Sequence, residues 1–69
     1  MSKFEFHVGV HDGLIVVTEP ASHFYAVYGM LKGQRRLVLE RRRPTKDEKL
    51  VTQARKAANA KARELGWIL

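Results

Sequence analysis

The last third of the chain has the pattern of one amphipathic helix with a start signal and a stop signal. Thr45 and Glu48 have the spacing of a capping box, in which the Thr hydroxyl accepts from the Glu N–H and the Glu carboxylate reaches back. Gly66 follows the helical run and suits the left-handed conformation that turns Trp67 back onto the last turn. We therefore predict a helix over about residues 46–65.

The predicted helix has one apolar face, which is made mostly of alanine. Lys49, Lys56 and Arg63 recur every seven residues, so they form one ridge on the opposite, solvated side. Small residues on the apolar face allow the helix backbone to lie close to a sheet. The apolar positions are Leu50, Val51, Ala54, Ala57, Ala58, Ala62 and Leu65.

Residues before the helix alternate between apolar and polar side chains, which is the pattern of half-buried strands. We expect strands over about residues 4–10, 14–18, 23–30 and 35–41. Asp12 and Gly13 separate the first two and favour a tight hairpin turn. Pro20 ends the second strand because it cannot donate to a sheet ladder. The natural core candidates are Phe4, Phe6, Leu14 or Ile15, Phe24, Tyr28, Leu37, Leu39 and Trp67.

These segments together predict an α+β fold with two layers. An antiparallel β-meander of three to four strands, over about residues 3–43, is followed by one C-terminal α-helix packed on one face (ββββα). The 69 residues make a single domain. A chain of this length buries only about 60% of its unfolded surface, so its stability is marginal.

Composition places the chain among small basic proteins. It contains no cysteine, and its longest apolar run is too short to cross a membrane. Its N-terminus lacks the apolar region of a signal peptide, so we expect a complete, cytoplasmic protein that does not bind membranes. The net charge of +6 indicates either an anionic partner or simply a soluble surface.

Residues with catalytic or metal-binding chemistry are scattered. His7 and His11 share strand parity, but four residues of strand separate them by roughly 13 Å, which is too far for one metal ion unless the chain bends at Gly9. Ser2 and Ser22 lie outside any nucleophile motif, and no glycine-rich phosphate loop is present. We therefore expect no enzyme activity, no cofactor, no metal and no small-molecule substrate.

Arginines flank the fourth predicted strand. Guanidinium groups match the geometry of phosphate, so this cluster is a candidate nucleic-acid contact surface. The alternative is that the charges protect an edge strand from aggregation. The cluster comprises Arg35, Arg36, Arg41, Arg42 and Arg43.

The second strand is apolar on both faces, whereas one helix covers only one face of a sheet. Tyr25, Val27 and Val38 have the parity of the uncovered face, together with Val16 or its neighbour. Exposed apolar patches mark association sites. This favours an interaction module that self-associates, or binds an acidic protein, over the alternative of a nucleic-acid-binding domain.

The tail from Ala57 to Ile68, which ends in Glu64-Leu65-Gly66-Trp67-Ile68, resembles the ending of a group of short uncharacterised bacterial proteins. This resemblance implies a bacterial cytosolic origin and carries over no functional residues. In topology, a small sheet followed by one helix also resembles the DNA-binding domains of plant AP2-type regulators and of some phage integrases. Those domains read DNA with the sheet face opposite the helix, which here would present Arg36, Val38 and Glu40.

Overall fold

The structure is a computed structural model that describes residues 4–31, 33–34 and 36–68. Its strands pair in the order β1-β2-β3-β4, all antiparallel, and α1 packs across one face. The predicted ββββα architecture is confirmed. The elements are β1 (His7–His11), β2 (Leu14–Glu19), a 3-10 turn (Pro20–Ser22), β3 (Phe24–Met30), β4 (Leu37–Arg42) and α1 (Glu48–Glu64).

The β1–β2 hairpin turns through Asp12 and Gly13, as predicted. Their φ angles of 50° and 76° are those of a primed turn, whose twist matches that of the flanking strands. The first strand begins later than expected, at His7. Phe4 and Phe6 lie outside it, with ring centroids 5.8 Å apart, and pack against the core.

Glu19 ends β2 and caps the turn that follows. Its side chain lies on the helix side of the sheet and is only 3% exposed. The carboxylate accepts hydrogen bonds from Ser22 Oγ at 2.8 Å, Ser22 N at 3.0 Å and Ala21 N at 3.4 Å. The bond from the Ser22 hydroxyl, above all, holds the pKa of this carboxyl below its ordinary value, although burial opposes the shift. Glu19 is therefore a satisfied structural group.

The core lies between α1 and the sheet. Ile15 and Val17 are fully buried, which settles the choice between Leu14 and Ile15. Three helix alanines are also fully buried, so α1 lies close to the sheet: Ala54, Ala58 and Ala62. Phe24 and Tyr28 are buried as predicted, and Phe4, Phe6, Leu37 and Trp67 are partly buried against the core.

The prediction that Leu39 belongs to the core was wrong, because its side chain is 43% exposed. The helix lies over β2 and β1 rather than over the middle of the sheet. Leu39, on the edge strand β4, therefore remains exposed to solvent.

The predicted capping box at Thr45 and Glu48 was also wrong. The N-cap is Asp47, whose Oδ1 accepts from Leu50 N at 3.1 Å. Thr45 Oγ1 instead accepts from Asp47 N at 3.1 Å, rather than from Glu48 N as the capping box requires. Both residues are good caps, and the carboxylate adds a favourable interaction with the helix dipole.

The C-terminal end of α1 is as predicted. Gly66 has a φ of 77° and directs the chain back over the last turn. Trp67 N then donates to Ala62 O at 2.8 Å, and Gly66 N to Arg63 O at 3.0 Å, which is the hydrogen-bond pattern of a glycine-terminated helix. In the described part of the chain, no helix has the length and hydrophobicity needed to span a membrane.

Candidate functional site

The sheet face opposite α1, here called the outer face, carries the predicted association residues. The strand register places Val16, Val27 and Arg41 in one row across β2, β3 and β4. Tyr25 lies opposite Thr18, and Val38 lies opposite Gly29. Residues paired directly across strands share a face. The apolar strip is defined as Leu14, Val16, Val27 and Val38.

Val27 is the centre of the apolar strip. It is only 9% exposed, although no described element covers the outer face. Its cross-strand neighbours Val16 and Arg41 shield it from either side, and Val16 is itself half-buried. Tyr25 lies near the start of β3 and is 38% exposed. The outer face therefore has an apolar centre and an accessible aromatic ring near one end.

Gly29 lowers the outer face locally. A Cβ atom on Gly29 would lie 3.1 Å from Leu14 Cδ2 and 3.3 Å from Glu40 Cγ. These two side chains therefore lean over the glycine from both sides. On β1, Gly9 pairs with Val16, and a Cβ atom on Gly9 would meet no atom within 4 Å. Beside Gly9, the described part of the outer face is therefore open.

The rim of the outer face carries both signs of charge. Glu40 and Arg41 are consecutive and exposed on β4. A β-bulge between Val27 and Tyr28 gives β4 one extra residue, which brings Glu40 and Arg41 to the same face. Neither forms an ion pair with any described residue. At the opposite edge of the sheet, the exposed His11 lies 3.2 Å from Asp12.

The predicted arginine cluster does not share one surface. Arg41 lies on the outer face, whereas Arg42 pairs with Ala26 and lies on the helix side. Arg36 and Arg43 are exposed before and after β4. Arg35 lies outside the described residues. The helix ridge of Lys49, Lys56 and Arg63 is exposed.

Arg42 instead lines a groove between β4 and the first turns of α1, here called the basic groove. The volume of this groove is about 610 Å³. Its cationic residues come from three segments: Arg42 from β4, Lys46 from the connection and Arg55 from the helix. The remaining lining residues are Thr45, Glu48, Val51 and Thr52.

One nitrogen of the Arg42 guanidinium, Nη1, is buried and makes no hydrogen bond to any described residue. A buried polar group without a partner costs about 1–3 kcal/mol, and more when charged. Tyr28 lies on the same face of the sheet, two residues along β3 from the Ala26 that pairs with Arg42, and is 4% exposed. Burial raises the pKa of the Tyr28 phenol, and the nearby charges of Arg55 and Arg42 partly oppose the shift.

Neither Arg55 nor Lys46 was predicted from the sequence to belong to a site. Glu48, Thr52 and Arg55 follow helical spacing i, i+4, i+7, so they form one stripe along α1. That spacing was visible in the sequence, but the approach of Arg42 from β4 was not.

Among residues 4–31, 33–34 and 36–68, no three His, Cys, Asp or Glu side chains lie close enough to hold a metal ion. In comparisons with known proteins, no family model matches the chain, and no curated protein or solved structure matches it.

Proposed function

We propose that the protein is a non-enzymatic interaction module that forms a homodimer through its outer face. The observation that carries this proposal is the apolar strip, which crosses three strands on the face that α1 leaves bare. A solvated sheet face ordinarily alternates to polar residues, whereas β2 presents apolar side chains on both faces. Three residues of the strip, Leu14, Val16 and Val38, are half-buried, and we infer an association surface because accessible apolar patches often mark one.

The charges on the outer face favour a second copy of this chain over an acidic partner. A two-fold axis brings the same patch of both chains together, so each residue meets a different residue of the same surface. Glu40 of one chain can then face Arg41 of the other while the strips around Val27 meet. An acidic partner would leave Glu40 opposed by like charge.

The net charge of +6 acts against association of two copies. This repulsion is screened by salt over about 8 Å at physiological ionic strength. Apolar contact is not screened, so we expect dimerisation to persist or strengthen as salt is added. Contacts to nucleic-acid phosphates would weaken with salt, because binding releases condensed counterions.

The test compares two charge-introducing variants by sedimentation velocity. Val38→Glu places a carboxylate in the apolar strip, whereas Val10→Glu makes the same change at a 44% exposed position on the helix side of β1. Both variants lower the positive charge, so added repulsion cannot explain a loss of dimer. We expect Val38→Glu to be monomeric and Val10→Glu to dimerise like the unaltered chain. Equal behaviour of the two variants would contradict the assignment of the outer face.

The alternative is that the module contacts nucleic-acid backbones. The observation that favours it is the exposure of Arg36, Arg41 and Arg43 along the open β4 edge. Binding of duplex DNA would then fall steeply with salt, and each phosphate-contacting arginine replaced by Gln would lower the salt slope by about 1. Replacing Lys49 and Lys56 on the helix ridge is the matched control.

A further inference from the structure

We propose that the basic groove binds the phosphate group of a phosphorylated small molecule, with Arg42 and Arg55 as the principal contacts. This site lies on the helix side of the sheet, away from the outer face, and does not depend on dimerisation. No small-molecule ligand was expected from the sequence. The proposal is based on three cationic side chains, Arg42, Lys46 and Arg55, which the fold brings to one groove.

The charge balance of the basic groove calls for an anion. Arg42, Lys46 and Arg55 contribute three cationic groups to one concave surface. The single carboxylate among the lining residues belongs to Glu48, and it makes no ion pair with any of the three. Like charges gathered in a groove repel each other, and a bound dianion would relieve this repulsion.

The guanidinium of Arg42 is held in place before any ligand binds. Its Nη1 is buried and unpartnered among the described residues, and the buried Tyr28 lies on the same face of the sheet, one side-chain position along β3 from the residue that pairs with Arg42. An arginine with a purely structural role would donate to a carbonyl or carboxylate at such a position. A ligand in the groove cannot reach this buried nitrogen. Its burial nevertheless fixes the guanidinium, so the rest of the Arg42 side chain, which lines the groove, can bind an anion with little further loss of freedom.

The donor set fits phosphate better than carboxylate. Two guanidiniums, one ammonium and the hydroxyls of Thr45 and Thr52 line the groove, which is more donors than two carboxylate oxygens accept. Phosphate offers three strongly accepting oxygens and pairs bidentately with arginine. The lining contains no aromatic side chain, so it lacks the stacking platform of single-strand nucleic-acid sites. The groove therefore fits a single phosphate group.

The experiment is a titration of the full chain, followed by backbone amide NMR, with ribose 5-phosphate, inorganic phosphate and unphosphorylated ribose. We expect saturable shifts around Arg42 and Arg55 with ribose 5-phosphate, and none with ribose. Arg42→Gln and Arg55→Gln should each weaken binding about tenfold, the factor that a charge-assisted hydrogen bond contributes. The matched control is Arg43→Gln, which removes the same charge from an exposed residue outside the groove.

Several results would overturn the proposal. Absence of saturation at millimolar ribose 5-phosphate would do so, as would equal weakening by Arg43→Gln, which would indicate a diffuse charge effect. Binding of inorganic phosphate with equal affinity would support a site for the phosphate group itself. Binding of duplex DNA through Arg42 and Arg55 without binding of ribose 5-phosphate would assign the groove to a nucleic-acid backbone instead. If Arg42→Gln does not fold, Arg55→Gln alone decides, because Arg55 is exposed on the helix surface.

Discussion

Replacement of Asp47 by Ala tests whether Asp47 is the N-cap of α1 and how much this cap contributes to the free energy of unfolding. The change removes the acceptor for the backbone N–H of Leu50, a residue that is only 3% exposed. Loss of an N-cap acceptor costs about 1 kcal/mol, and loss of a negative charge at a helix N-terminus costs about 0.3–1 kcal/mol. Asp47 is exposed, so salt screening places the charge contribution at the lower end.

The expected total for Asp47→Ala is therefore about 1–1.5 kcal/mol. In a domain of this size, each kcal/mol lowers the melting temperature by about 4–8 °C. Thermal unfolding followed by circular dichroism measures the shift. Asp47→Asn keeps an acceptor and should recover most of the loss, which separates the hydrogen bond from the charge.

Thr45→Ala is the critical comparison for the register of the cap. Thr45 accepts one exposed hydrogen bond from Asp47 N, so its loss should cost about 0.5 kcal/mol, less than the loss of Asp47. A larger effect at Thr45 than at Asp47 would refute the cap seen in the structure and restore the capping box with Glu48.

Four further outcomes follow from the structure. Because hydrogen bonds lower the folded-state pKa of Glu19, its contribution to stability is present above the unfolded pKa and is lost as pH falls through the folded pKa. Urea unfolding of Glu19→Gln should therefore show a deficit at neutral pH that closes in acid; a constant deficit would contradict this. Because burial raises the pKa of Tyr28, stability should fall as pH rises above about 10, and alkaline unfolding of Tyr28→Phe should show a smaller fall. Val38→Glu, but not Val10→Glu, should abolish dimers in sedimentation velocity. Titration with ribose 5-phosphate should shift amides near Arg42 and Arg55, and Arg55→Gln should raise the dissociation constant about tenfold.

Local signals in the sequence predicted most of the architecture. Asp12 and Gly13 predict the hairpin locally, because this residue pair readily adopts the positive φ angles that the turn requires. Gly66 ends the helix for the same local reason. The start of the helix was harder to predict, since Thr45 and Asp47 are both good caps two residues apart. In the structure Thr45 accepts from Asp47 N, and Asp47 caps the helix by accepting from Leu50 N.

Which face of the sheet Arg41 and Arg42 occupy depends on a β-bulge, and the alternation of apolar and polar residues does not reveal it. Strict alternation after Val38 would place Glu40 and Arg42 on the outer face and Arg41 on the helix side. The bulge opposite Val27 adds one residue to β4, so Arg41 moves to the outer face and Arg42 to the helix side. The basic groove was therefore not predictable from the sequence pattern. It exists only because one extra residue reverses the strand's parity before the chain enters the helix.

Sedimentation equilibrium of the unaltered chain is the most direct test of the proposed dimer. The experiment covers low micromolar to near-millimolar protein at low and at high salt. The outer face predicts a mass that rises with concentration from the 7.9 kDa of one chain towards twice that value and is not lowered by salt. A mass that stays at 7.9 kDa throughout, or a dimer that dissociates as salt is added, would contradict an association driven by the apolar strip.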